Sequence, residues 1–330
     1  MPPKIIYEVP QQDNYLTYGK NCVFSLSDSN YGLAQMMFLE FTVTGTGQNY
    51  TTPSSPYLIK QVLLESYGTP IANVTTSYTL GRIDEEDYDL YNQIISGATF
   101  SGATLNGTQV VSLPLYFFAI DKQKLDTRHY KNLTVRVLTK DNYADMGFSG
   151  NITINKVRLK VVYEDPKLYK ITPLKHFYNM NRNITEITAD ALTGNVVQLK
   201  INNPYIVSNM FFMIRKVSTA SLKGTIKSIK VTYPNNEIGV YDALTNYQLG
   251  SEHGANYGNT FAIQLADRYV KEEDFFQATG QNAPMMVEIT YDVSVIGDFK
   301  LYTAVEYYSD IIEGPDGLLM EQIKGSLNHF

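Results

Sequence analysis

The sequence predicts an all-β protein built as two tandem β-sandwich domains. Three observations predict it. Apolar residues recur with a period of two along most of the chain, turn formers separate those runs, and the second half weakly repeats the first. Alternation places apolar side chains on one face of a strand and polar ones on the other. Many short strands with one wet face belong to sandwiches or barrels, and a buried parallel sheet reads differently. At 330 residues the chain is long enough for two such domains.

The first 18 residues carry Pro2, Pro3 and Pro10, and residues 1–18 are predicted as an N-terminal arm. The first domain spans 19–165. Cys22 opens an alternating strand, and a lone buried cysteine behaves as a small hydrophobe. Gln35-Met36-Met37-Phe38-Leu39 reads as a core strand, and Gly45-Thr46-Gly47 as a turn. The best helix is 84–95, where Tyr88, Tyr91 and Ile95 share a face. Four acids at 84–87 open it, where the helix dipole favours negative charge. Residues 96–109 are rich in small side chains, with Ser-Gly-Ala-Thr twice, and read as a long loop. Leu133–Leu138 and Val157–Val161 alternate and close the domain.

Asp165-Pro166 to Pro173 marks the join, because proline removes a strand donor. Residues 166–176 are predicted as a linker and 177–311 as the second domain. Its alternating strands are Val197–Ile201, Ile226–Val231 and Val287–Val293, with a Met/Phe core strand at 210–214. A second short helix is predicted at 242–249, closed by Gly250. Residues 312–330 are predicted as a C-terminal arm with one short amphipathic turn, Leu318–Ile323.

The repeat rests on four segment pairs. Asn21-Cys22-Val23 resembles Asn195-Val196-Val197, and Gln35–Leu39 resembles Asn209–Met213. Ile59-Lys60-Gln61-Val62 matches Ile226-Lys227-Ser228-Ile229, and Val161–Asp165 resembles Glu306–Asp310. The offset shrinks along the chain, as it would if the first copy carried longer loops. The alternation of 22–26 is one residue out of phase with 197–201 in this alignment. A one-residue slip flips every side chain to the other face, so one register there is misread.

Composition narrows the function. Charged residues are 18% of the chain, below the ~25% of an average globular domain. There are 26 Tyr and 15 Phe, which excludes disorder. Net charge is −6 and no stretch concentrates Lys and Arg, so sequence-specific nucleic-acid binding is not expected. With one cysteine, no internal disulfide and no Cys-rich zinc site can form. The N-terminus lacks the apolar run of a signal peptide, and no window reaches 18 apolar residues.

Chemical motifs are absent. There is no Walker A loop, H-E-x-x-H, C-x-x-C or G-x-S-x-G. His129, His176, His253 and His329 lie far apart with no ligand partners at metal spacing. Glu65, Glu186, Glu288 and Glu306 lie in strand-like segments and are expected to point to water. A sugar-cleaving site also usually carries Trp platforms, and the chain has no Trp. Sequons at Asn49, Asn73, Asn106, Asn132, Asn151 and Asn183 follow from the abundance of Asn and Thr. No catalytic, metal or cofactor residue is predicted, and the protein is not expected to be an enzyme.

Over roughly residues 15–311 this layout resembles the double jelly-roll major capsid proteins of tailless icosahedral viruses. That is the adenovirus-hexon-type lineage, many members of which enclose a membrane. Leu113-Pro114-Leu115-Tyr116-Phe117-Phe118, before Asp121, is similar to an apolar Pro-Leu strand start in some large-virus members. The family has no short signature, so no functional residue is carried over.

The resemblance implies two tandem jelly rolls per subunit, trimers with a near-hexagonal base of six barrels, and an icosahedral shell. It implies location in the virion, after synthesis in host cytoplasm. Implied partners are further copies of the chain, other virion proteins such as penton or minor capsid proteins, and an underlying lipid membrane. Candidate subunit contacts are Ile5, Ile6 and Tyr7, His176, Phe177 and Tyr178, and Leu318, Leu319 and Ile323. The tyrosines at 302, 307 and 308 are further candidates, because an amphipathic ring suits a contact surface. The alternative reading is a receptor- or carbohydrate-binding sandwich, spike- or lectin-like, favoured by the long polar loops.

Overall fold

The structure is a computed structural model of the chain. It describes residues 4–9, 18–19, 21–26, 32–49, 55–76, 79, 104–115, 117, 125–127, 130, 132–164, 184–187, 194–201, 206–216, 223–234, 236–242, 261–264, 276–277, 284–292, 299–308, 310–313 and 319–322.

The first half holds β1 (Lys4–Val9), β2 (Asn21–Ser25), β3 (Leu33–Asn49), a four-residue α1 (Ser55–Leu58) and β4 (Ile59–Ser66). It continues with β5 (Thr69–Val74), β6 (Thr104–Pro114), β7 (Leu125–Asp126), β8 (Leu133–Thr139) and β9 (Thr153–Glu164). One sheet runs β1-β9-β3-β6, with β7 against the start of β3; the other runs β2-β8-β4-β5. All pairs are antiparallel. The sheets face each other. Leu39, Phe41 and Leu159 of one join Phe24, Val62 and Val135 of the other in a single buried cluster.

The second half holds β10 (Ile184–Ile187), β11 (Val196–Ile201), β12 (Ile206–Lys216), β13 (Lys223–Thr232), β14 (Ile238–Asp242) and β15 (Phe261–Gln264). It continues with β16 (Phe276–Gln277), β17 (Met285–Asp292) and β18 (Phe299–Tyr308). Here the orders are β10-β18-β12-β15, with β16 against the start of β12, and β11-β17-β13-β14. Two rungs between β12 and β13, Ile214↔Gly224 and Arg215↔Lys223, join the sheets at a corner. Met210, Phe212, Leu301, Ile229, Val287 and Val197 form its core. A last hairpin, β19 (Asp310–Glu313) and β20 (Leu319–Gln322), follows.

The two halves therefore match strand for strand, and two of the first half's ladder irregularities recur in the second. In β3 the ladder to β9 slips between Ala34 and Met36; in β12 the ladder to β18 slips between Val207 and Asn209. Each slip follows the rung holding a tyrosine, Ala34↔Tyr163 and Val207↔Tyr307. In β4 the ladder to β8 skips Lys60, and in β13 the ladder to β17 skips Lys227. Bulges are specific features that re-aim a strand, so four at equivalent places mark a true repeat.

The bulges also correct the sequence alignment. Ile59–Val62 and Ile226–Ile229 are in register. Met37 is equivalent to Met210, one residue away from the sequence match, and Cys22 to Val197, also one away. Both pairs face a core.

Other expectations change. Residues 4–9 are not part of a free arm, because β1 completes the first sheet against β9. Tyr18 also packs on the first core, donating its hydroxyl to the Ile152 carbonyl and accepting from the Ile152 N–H at 3.1 Å. Gly45-Thr46-Gly47 is no turn but an irregular stretch of β3, with φ of 64° at Gly47. Residues 104–109 of the expected loop are strand β6. Residues 319–322 form a strand rather than the amphipathic turn. Both predicted helices, 84–95 and 242–249, lie outside the described residues apart from Asp242, which ends β14. So do the linker 166–176 and the four histidines.

Candidate assembly surfaces

Among the described residues, side chains with chemistry are dispersed. Glu65 does not point to water. It is 3% exposed, takes Arg136 Nε at 3.0 Å and accepts from Thr134 at 3.2 Å. Covering of the outer face of β4 and β5 explains this; Asn73, on the same face, is 0% exposed. A side chain buried to that degree cannot carry a glycan, which removes one sequon. Glu288 accepts from Gln198 Nε2 at 2.8 Å on the opposite sandwich. The side chains of Glu186 and Glu306 lie outside the described ones. Among the described residues no group of His, Cys, Asp and Glu could hold a metal, and no helix is long and apolar enough to cross a membrane.

What the fold does create is a contact between its two sandwiches. Along β12, Met210, Phe212 and Ile214 enter the second core, while Phe211 and Met213 point the other way. Along β18, Leu301 and Val305 point inward, and Tyr302 and Ala304 outward. An outward sheet face is normally wet. Here Phe211 is 1% exposed, Ala304 2%, and both belong to the buried cluster of the first sandwich. Met213 and Tyr302 pack on Tyr57 of α1, the two rings meeting edge to face at 6.3 Å and 87°. Strand β20 adds a contact with β5. The apolar run 210–214 is thus buried on both faces, which is why it shows no alternation.

Two other faces stay open. On β3, Met36 is 45% exposed and Phe38 half-buried; Glu40 and Lys160 pair beside them. On the second sandwich, Ile238 is 58% exposed, Val240 62% and Met286 39%, all on the outer face of the β14 side. Of the candidate contacts, Ile5, Ile6 and Tyr7 lie on β1 and Leu319 on β20. His176, Phe177, Tyr178, Leu318 and Ile323 lie outside the described residues. Tyr302 is a contact residue, but within the chain. Tyr307 and Tyr308 pair with Val207 and Ile206 in the sheet. Phe211 and Ala304 were missed as contact residues; unbroken burial on a strand with no polar face was the available signal.

The strand orders compare directly with solved structures. The VP54 protein of PBCV-1, fitted into a reconstruction of the virophage Sputnik, superposes with a TM-score of 0.70. The match covers 98% of each chain at 10% identity. This fold is the double jelly roll. Two more double jelly rolls are similar: the Faustovirus major capsid protein (TM-score 0.63, 7% identity, 93% of this chain and 90% of that one) and the mavirus major capsid protein (0.61, 8%, 96% and 90%). By sequence, no family model and no curated protein matches. The double jelly roll is therefore legible in the strand orders and invisible in residue identities.

Proposed function

We propose that this chain is a structural virion protein, a major capsid subunit that assembles as trimers into an icosahedral shell. The observation that carries the reading is the strand-for-strand repeat within a double jelly roll shared with several capsid proteins. Three copies supply six nearly equivalent sandwiches, and a near-hexagonal unit tiles a flat facet with little change between positions. Low charge density favours close packing of many copies, since few ions need desolvating. The subunit has no catalytic role in this reading. Its domains are 19–165 and 177–311, with the first drawing in β1. Its partners are further copies of itself, other virion proteins at vertices or beneath the shell, and an underlying membrane. It is made in host cytoplasm and resides in the virion.

Electron microscopy of the purified protein tests this. Trimeric units of near-hexagonal outline, or closed shells, support it. Isolated two-lobed particles at every concentration refute it and return attention to glycan binding.

A further inference from the structure

We propose that Tyr233 and Tyr241 form an oxidative modification site, where a peroxide-derived one-electron oxidant joins the two rings as dityrosine. The bond staples the edge strand β14 to β13. This chemistry is independent of the assembly reading above.

A glycine makes the site. On β14, Gly239 pairs with Val231 and Tyr241 with Ile229. Tyr233 follows the end of β13 and belongs to the second core, and Tyr241 packs against that core. A glycine inside a strand marks a close approach. A Cβ on Gly239 would stand 2.9 Å from Tyr241 Cε2, 3.1 Å from the Tyr241 hydroxyl and 3.2 Å from the Tyr233 hydroxyl. The two phenols therefore meet over bare backbone, hydroxyl to hydroxyl at 2.5 Å. Cε2 is a carbon beside the hydroxyl, the ring position at which a tyrosyl radical couples.

The surroundings hold the pair in place. The Tyr233 N–H donates to the Glu237 carbonyl at 2.9 Å, and the Asn236 N–H donates to the Tyr233 carbonyl at 2.9 Å. Burial, with the Tyr241 hydroxyl, raises the Tyr233 phenol well above its ordinary 10.0. Both oxygens therefore keep their protons and stay bonded. Well-oriented groups react as if at effective concentrations of about 10⁵–10⁸ M, so this pair should outrun random encounters.

The step balances. Each phenol loses one electron and its hydroxyl proton and becomes a phenoxyl radical. The radicals couple through one carbon beside each hydroxyl. The hydrogens on those carbons pass to the oxygens and restore both phenols. One carbon–carbon bond forms, two protons leave, and the two electrons reduce one peroxide.

Such a bond supplies what the composition otherwise withholds. One cysteine makes no internal disulfide, whereas the chain has 26 Tyr. Strand β14 lies at the end of its sheet and pairs with β13. Edge strands need protection, and a link that closes a loop restrains the unfolded chain as a disulfide does.

The test uses the full chain. Glu237 is the one acidic residue between the two tyrosines, so cleavage after glutamate separates Tyr233 from Tyr241 unless a bond joins them. The purified protein is oxidised with a photoactivated ruthenium complex and persulfate until tyrosine is measurably consumed. It is then digested and read by mass spectrometry. The expected product is the two peptides joined, lighter than their sum by two hydrogens. Its yield should exceed that of any other tyrosine pair by about 10-fold or more. Tyr241→Phe and Tyr233→Phe should each abolish it, and either variant suffices if the other does not fold. Tyr67→Phe, at a site 44% exposed, should leave it unchanged. Oxidation that consumes tyrosine or links chains to one another without joining this pair overturns the proposal. A joined product that survives in the phenylalanine variants overturns it too. Neither result bears on the assembly reading.

Discussion

Phe211→Ala is the most informative single perturbation of the chain, because the repeat supplies its control. Phe211 belongs by sequence to the second sandwich and by packing to the first. Truncating a fully buried phenylalanine costs about 3–5 kcal/mol, as transfer energy plus the cavity left behind. That loss falls on the contact between sandwiches and not on either core. The edge-to-face pair of Tyr57 and Tyr302 nearby contributes only about 0.5–1.5 kcal/mol beyond its area. It cannot hold the contact alone. Phe38→Ala at the equivalent position removes a half-exposed ring and should cost under about 1.5 kcal/mol in the dissociated subunit. The assay is urea unfolding of dissociated subunits, followed by far-UV dichroism and by tyrosine fluorescence, since the chain has no Trp. For Phe211→Ala the expected result is a transition that moves to lower urea and splits in two as the sandwiches uncouple. Equal losses for the two variants, or a single unshifted transition for Phe211→Ala, would refute the reasoning.

Three further outcomes are expected. Arg136→Met leaves the buried Glu65 carboxylate without its cation and should destabilise the first sandwich by ~2–4 kcal/mol, discounted because Arg136 itself is 35% exposed; thermal unfolding reads it. Gly239→Ala places a Cβ 2.9 Å from the Tyr241 ring and 3.2 Å from the Tyr233 hydroxyl, so it should cost ~1–3 kcal/mol and disturb that tyrosine pair in near-UV dichroism. Burial raises Tyr18, Tyr233 and Tyr291 above the ordinary 10.0, and in Tyr233 the Tyr241 hydroxyl adds to it. A raised tyrosine keeps its proton in the folded state while the unfolded chain ionises. Stability should hold below pH 10 and fall above it, and Tyr233→Phe should lessen the slope.

The sequence reading succeeded where one face of a strand is dry and the other wet. Ile59–Val62 and Ile226–Ile229 were aligned in register because Lys60 and Lys227 mark the same bulge in both copies. The neighbouring alignment slipped by one residue because 210–214 is buried on both faces and offers no alternation to fix a register. Strand β1 read as an arm, since its partner β9 lies far along the chain and Pro10 closes it at once. Glu65 read as solvated for a related reason: the cover on its sheet face is tertiary, and nothing local announces it. The open apolar faces were the least legible. Met36 and Val240 differ from core residues only in their place relative to the bulges, and pairing registers alone reveal that place.

The most direct test of self-assembly is the mass of the purified protein in solution by light scattering, across a wide concentration range. The account expects about three times 37.3 kDa, or a jump to very large particles. A clean 37.3 kDa monomer that persists at high concentration would contradict it.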